Sequence, residues 1–265
     1  MKIYLSCDIE GTCGIAAWDE AGKGGPFYTY FANQMSKEVA AACEGANLAG
    51  AKEIFVKDAH DSARNIDPHL LPENIKICRG WSGQPYSMMS GIDESFDAVI
   101  FTGYHSGSGF NGNPLSHTMS SSLNFLKING EPVSEFVLNS YLAGYYNVPV
   151  VCITGDKALC EIASKYVENI KTVAVNEGFG GAAISIHPDL AVKKIRETVK
   201  QALSEDLSSY KVKMPEHFKM EISFKNHQPA FHGQFYPGAK LEDNYTISFE
   251  SDDYMDVIKF MAFTM

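Results

Sequence analysis

The chain has 265 residues, 45% of them apolar and 20% charged, with 22 Gly and 11 Pro. This is the composition of one to two packed globular units, which excludes a disordered, collagen-like or coiled-coil chain. Asp and Glu number 32 against 22 Lys and Arg, and the formal charge of −10 argues against nucleic acid or an anionic membrane as a partner.

Residues 2–7 (KIYLSC) read as a buried strand. Tyr28 to Ala49 reads as a helix with Phe31, Met35, Val39, Cys43 and Ala46 on one stripe and Gly50 as its stop. Strands are expected at 53–58, 75–78 and 97–102. Strands alternating with helical spans predict βαβ units and a parallel sheet. Asn129-Gly130 sits between two β-like runs as a hairpin turn. Beyond it the pattern predicts a helix from Ser134 through Tyr145, a strand at 149–154, a helix near 156–167 and a strand at 171–175. A Gly-rich connection (EGFGG) and a helix from Pro188 to about Leu203 follow. Residues 204–217 read as a linker or long loop, before strands at 218–225 and 244–250 and a last helix from Asp252. The expected class is α/β: a parallel-sheet part with helices on both faces over residues 1–122, then a mixed α+β part over 123–265.

No apolar run approaches the ~20 residues that span a bilayer, and the short apolar stretch from Ile3 to Cys7 runs straight into Asp8 and Glu10, unlike a signal peptide. A cytoplasmic location is the expectation. The six cysteines are scattered without C-x-x-C, as reduced, mostly structural thiols are.

The chemistry is concentrated at strand ends. The first strand closes in Ser6-Cys7-Asp8-Ile9-Glu10-Gly11, the second in Asp58-Ala59-His60-Asp61, and the strand at 97–102 in Gly103-Tyr104-His105-Ser106. Three strands thus deliver carboxylate or imidazole to the edge where open parallel sheets bind ligands. Such donors without thiolate suit a catalytic Zn, Mn, Fe or Co site, and several together can hold a metal pair. Singly, each of these residues is as readily a cap, a turn or a hydrogen-bonded structural histidine; the convergence is what favours a site. His117 follows the Gly/Asn-rich stretch SGSGFNGN and is a candidate general acid/base. His69, His187, His217, His227 and His232 read as loop, turn or helix-start residues. The chain has no P-loop, no well-placed G-x-G-x-x-G, no G-x-S-x-G and no H-E-x-x-H.

At these residues the sequence resembles the DppA-type zinc-dependent D-aminopeptidases, a family of binuclear metallopeptidases. Ser6-Cys7-Asp8-Ile9-Glu10-Gly11 fits the family's S-x-D-x-E-G signature. The resemblance continues through Lys57 to Ser62, Gly103 to Ser106, Leu115 to Thr118, Asn129 to Glu135 and Leu138 to Tyr146, and loosens after about residue 175. It implies two divalent ions, zinc, with Asp8 bridging them, Glu10 and His60 completing one shell, and His105 and Glu135 completing the other. It alone promotes Glu135, since a Glu in a helix's first turn is ordinarily a dipole-matching residue. His117 would be the catalytic histidine, bonding the developing oxyanion or protonating the leaving amine. The implied substrate is a short peptide with an N-terminal D-residue, and the implied assembly a homo-oligomer, a decameric ring with sites facing an inner chamber. The Gly-rich loops 106–113 and 176–181 look individual to this chain. Two rivals stand beside this reading: another binuclear metallohydrolase, such as an amidase or phosphoesterase, or a non-catalytic peptide-binding protein linked to dipeptide transport. The missing signal peptide and the crowd of metal ligands weigh against the second.

Overall fold

In β1 (Lys2–Cys7) side chains alternate between two cores, as the two-residue period of a strand requires. Ile3, Leu5 and Cys7 enter one apolar cluster, while Tyr4 enters the other. A computed structural model describes all residues, 1–265. After β1 come α1 (Trp18–Ala21), α2 (Tyr28–Leu48), β2 (Glu53–Asp58), β3 (Ile75–Cys78) and β4 (Ala98–Tyr104). The chain continues through β5 (Leu123–Ile128), β6 (Glu131–Pro132), α3 (Glu135–Tyr145), β7 (Val150–Asp156), α4 (Lys157–Tyr166), β8 (Lys171–Phe179), β9 (Ala182–Ser185) and α5 (Pro188–Ser204). It ends with β10 (Phe218–Phe224), α6 (His227–Gly233), β11 (Lys240–Leu241), β12 (Thr246–Ser251) and α7 (Tyr254–Thr264).

Seven strands form one sheet in the order β3-β2-β1-β4-β7-β8-β9, parallel except for the terminal β9. On one face α2 and α5 pack against each other and supply Met35, Val39, Cys43, Ile195 and Val199 to the core under Ile3 and Leu5. The other face carries α3, α4 and α7 together with a five-stranded antiparallel sheet, β11-β12-β10-β5-β6. The expected α/β class, parallel sheet and helices on both faces are observed.

The expected boundary at 122/123 marks only the chain's first departure from the large sheet. Residues 150–185 return to it as β7, β8 and β9, because Val150–Ile153 are buried on both faces and need a parallel neighbour. Residues 123–265 therefore do not form a separate unit. EGFGG is no open connection either: β8 runs to Phe179 and turns back into β9 through Gly180, at φ +59°. Residues 204–217 are packed rather than a free linker. A 3-10 turn spans 207–209, Tyr210 is fully buried and Val212 bridges to Val167. The alternation reading missed α6, whose seven residues are too short to show a helical period.

The order of strands places the working edge. From β1 the chain moves outward to β2 and β3, then crosses to the far side of β1 with β4. The switch point of the sheet lies between the C-terminal ends of β1 and β4, where such folds open a ligand crevice. The backbones are unusually close there: Gly11 N donates to Gly103 O at 2.8 Å. A Cβ on Gly11 would sit 1.9 Å from Tyr104 O, and one on Gly103, at φ +68°, 2.1 Å from Asp8 O. Only glycine fits either position.

Candidate metal centre

Asp8 follows β1 directly and Glu10 comes two residues later; His60 follows β2, His105 follows β4, and Glu135 opens α3. The helix N-terminus favours a carboxylate at Glu135. His117 arrives on the loop between β4 and β5. The fold brings all six together. His60 Nδ1 lies 3.3 Å from Asp8 Oδ1 and 3.0 Å from Glu10 Oε2. His105 Nε2 lies 3.5 Å from Asp8 Oδ2 and 3.4 Å from Glu135 Oε2. His117 Nε2 stands 3.9 Å from Glu10 Oε1 and 3.7 Å from Glu135 Oε1, with its ring stacked on His105 at 4.4 Å. Three compact trios result: Asp8/Glu10/His60 and Asp8/His105/Glu135, which share Asp8 through its two different oxygens, and Glu10/His105/His117, which brings His117 within reach of a cation as well.

The carboxylates of Asp8, Glu10 and Glu135 are only 2–3% exposed. Burying three such charges side by side is costly unless cations compensate them. The histidines sharpen the point. His60 Nε2 is 3.0 Å from Ala21 O, His105 Nδ1 2.9 Å from Ser106 O, and His117 Nδ1 2.8 Å from Leu115 O. A carbonyl only accepts, so each imidazole donates that N–H outward and turns its other nitrogen onto carboxylate oxygens, meeting them with a lone pair unless a second proton or a cation sits there. Lone pairs facing lone pairs need a positive charge between them. Asp8 Oδ2, Glu10 Oε2 and His105 Nε2 are buried without a hydrogen-bond partner, as atoms reserved for cations are. Protons supply part of the charge in the metal-free cluster. Burial opposes the charged imidazoles, yet Glu10 holds His60, and Glu135 holds His105, well above the ordinary histidine range. Burial, with Glu10 beside it, pushes Asp8 well up. The donor set of three carboxylates and imidazole nitrogens, with no thiolate, fits a pair of catalytic divalent ions such as zinc.

Several supporting residues were not singled out from the sequence. Asp58 accepts from Asn65 N at 2.5 Å, Ile66 N at 2.8 Å and Asn65 Nδ2 at 2.8 Å, and so ties down the loop that carries His60. Asp156 accepts from Ser106 N at 2.5 Å and Ser106 Oγ at 2.7 Å beside His105. Below the cluster, Asn139 donates to Tyr104 Oη, Tyr104 to Ser6 Oγ, and Ser6 to Met88 O. Asn139 lies four residues after Glu135, one helical turn away, which is the signal that identifies it. The Gly-rich loops 106–113 and 176–181 meet, Gly178 N donating to Gly112 O at 3.0 Å.

Above the clustered carboxylates and imidazoles lies a cavity of about 270 Å³, lined further by Trp18, Asp61, Trp81, Met88 and Met119. Seven non-glycine residues have positive φ; three of them are asparagines, which tolerate it, and three of the remaining four, Asp61, Ser87 and Met119, line this cavity. Strain of that kind is kept where a site requires it.

A sequence profile of the D-aminopeptidase family matches residues 1–263. The D-aminopeptidase of Bacillus subtilis (strain 168) is 28% identical over 263 residues, covering 98% of this chain and 95% of the relative. Among solved structures, the zinc-dependent D-aminopeptidase DppA of Bacillus subtilis, a self-compartmentalizing protease, superposes with a TM-score of 0.92 at 27% identity. The match covers 100% of this chain and 96% of that one. With a whole-chain profile match and a cluster of metal-capable side chains at the switch point of the sheet, the chain belongs to the D-aminopeptidase family.

Proposed function

We propose that the protein is a metal-dependent aminopeptidase that hydrolyses short peptides with an N-terminal D-residue. Asp8, Glu10, His60, His105 and Glu135 hold two zinc ions, and His117 acts on the reacting peptide. The observation that carries this reading is the pair of trios sharing Asp8, one imidazole lone pair aimed into each. When bound, two such ions polarise a peptide carbonyl and lower the pKa of water towards ~7.

The protein's own groups do the rest. Hydrolysis adds the oxygen of water to the carbonyl carbon and a proton to the leaving nitrogen. His117 keeps its Nδ1 proton on Leu115 O, so Nε2 is free to take a proton from the attacking water and pass it to the leaving amine. Stacking on His105 and edge contact with Trp18 at 5.3 Å fix the ring. The cavity admits a small substrate, and Asp61 adds a carboxylate at its wall that suits a free amine.

We further propose self-association into a closed ring, a decamer in line with the self-compartmentalizing relative, in the cytoplasm. Phe179 and Ile184 on the β8–β9 hairpin, and Phe231 and Phe235 at α6, are 60–72% exposed and suit burial between copies. No helix is long and apolar enough to cross a membrane, and all six cysteines are free.

The test is a panel of D-alanine and L-alanine p-nitroanilides and dipeptides assayed on zinc-loaded protein with and without chelator. Chelator-sensitive cleavage of the D-substrates supports the proposal; chelator-insensitive or absent cleavage overturns it.

A further inference from the structure

Two clefts open from the metal cavity, and they differ in charge. One, of about 420 Å³, shares Trp81, Ser87, Met119 and Ser120 with the cavity, and no charged side chain lines it. The other, of about 320 Å³, shares Trp18, Ser121 and His117, and contains a single charged side chain, Lys225. The two have no lining residue in common.

The Lys225 ammonium makes no hydrogen bond and no carboxylate lies within 4.0 Å of it, as is also true of the exposed Lys23, Lys37, Lys52, Lys194, Lys200 and Lys211; what sets Lys225 apart is its place in the lining of the cleft that His117 borders. Its backbone is nevertheless held firmly. Lys225 N donates to Ser122 O at 2.8 Å, and Asn124 Nδ2 donates to the preceding carbonyl, Phe224 O, at 2.8 Å. The residue therefore lines the rim of the cleft that His117 borders from a fixed backbone position, with its side chain exposed.

Substrate polarity gives this position a meaning, and the step rests on the aminopeptidase reading above. An aminopeptidase leaves one residue on the acyl side of the scissile bond and releases the rest as an amine. If His117 protonates that amine, the leaving residue lies on the His117 side, in the cleft with Lys225. In a dipeptide that residue ends in an α-carboxylate, whose natural partner is an unpaired ammonium. The other cleft has no cationic side chain to offer a carboxylate. We propose that Lys225 is a specificity-determining residue that binds the free α-carboxylate of the leaving residue and so favours dipeptides over longer or C-terminally blocked substrates.

The experiment crosses two zinc-loaded enzymes with two substrates. Wild type and Lys225→Met are assayed on D-alanyl-glycine and on D-alanyl-glycinamide, which differ only in the carboxylate. Wild type is expected to prefer the free acid. Lys225→Met should raise KM for the acid by about two- to fivefold, the size expected for an exposed ion pair, while leaving kcat and the amide unchanged; Lys225→Arg should restore the preference. An equal effect on both substrates, or none on either, overturns the assignment, as does a wild-type enzyme that cleaves both equally well. If wild type cleaves neither, the aminopeptidase reading fails instead, a result distinct from the other outcomes. Light scattering on each variant separates a loss caused by altered assembly, which would lower both activities together.

Discussion

Three aspartates close parallel strands of the large sheet, and all are buried: Asp8 after β1, Asp58 ending β2 and Asp156 ending β7. Their surroundings differ. Asp58 and Asp156 are saturated by donors, each receiving two backbone N–H groups and one side-chain donor. Asp8 receives one backbone N–H, from Ile9, keeps Oδ2 without a partner, and faces two imidazole lone pairs and two more carboxylates. A buried carboxylate is made tolerable either by hydrogen bonds or by cations; Asp58 and Asp156 use the first, and the proposed metal site would give Asp8 the second. The saturated aspartates build loops; the unsaturated one belongs to the site they support.

The largest contrast is expected from removing the shared ligand. Asp8→Asn should release both ions and lower kcat/KM by on the order of 10⁴-fold, read from elemental analysis and steady-state kinetics on one preparation. Stability in chelator should hold or rise, since the cost of burying an ionisable carboxyl beside Glu10 and Glu135 is gone; a variant still holding two ions refutes the bridging role. His117→Ala should cost about 10³-fold in kcat with both ions retained. Loss of an ion would make His117 a ligand, a role its 3.7 Å approach to Glu135 also allows. Asp58→Ala should behave in the opposite way to Asp8→Asn. Three donors lose their acceptor, so urea unfolding should show about 3 kcal/mol of destabilisation. The metal should stay bound while activity falls by about 10–100-fold through a displaced His60. Unchanged stability would show that its hydrogen bonds are not what holds the loop.

Glu38 on α2 is the intermediate case. Its Oε1 accepts from Cys13 N and Gln34 Nε2, both at 3.0 Å, but its Oε2 has no partner. Burial pushes its carboxyl up to about 7. Because the folded state prefers the protonated acid, its contribution to stability is complete below about pH 4.5 and is lost as pH rises through about 7, a change of about 3 kcal/mol. Glu38→Gln should remove that slope from a plot of unfolding free energy against pH. A slope identical to wild type would mean that the carboxyl titrates normally.

Much of the fold could be read from the sequence because its central strands are apolar runs of five to seven residues between clear helical stripes. What escaped needed contacts between distant segments. β7 and β8 look like strands in any setting, and only pairing with β4 assigns them to the first sheet. Five of the six clustered side chains lie at strand ends or behind a glycine-rich loop, where pattern alone drew attention. Glu135 did not stand out, because an acidic residue opening a helix has a sufficient local explanation in the helix dipole. Asp58 stood in the same strand-end motif as His60, and nothing in its spacing told a loop-builder from a ligand. That difference is made by Asn65 and Ile66, seven and eight residues away and folded back onto it.

The proposed two-cation site has one direct measurement, the metal content of the wild-type protein purified without chelator and then loaded with zinc. Two zinc ions per chain are expected, both retained through dialysis at neutral pH. Retention of one ion, or of none, would contradict a site in which Asp8 joins two metal shells.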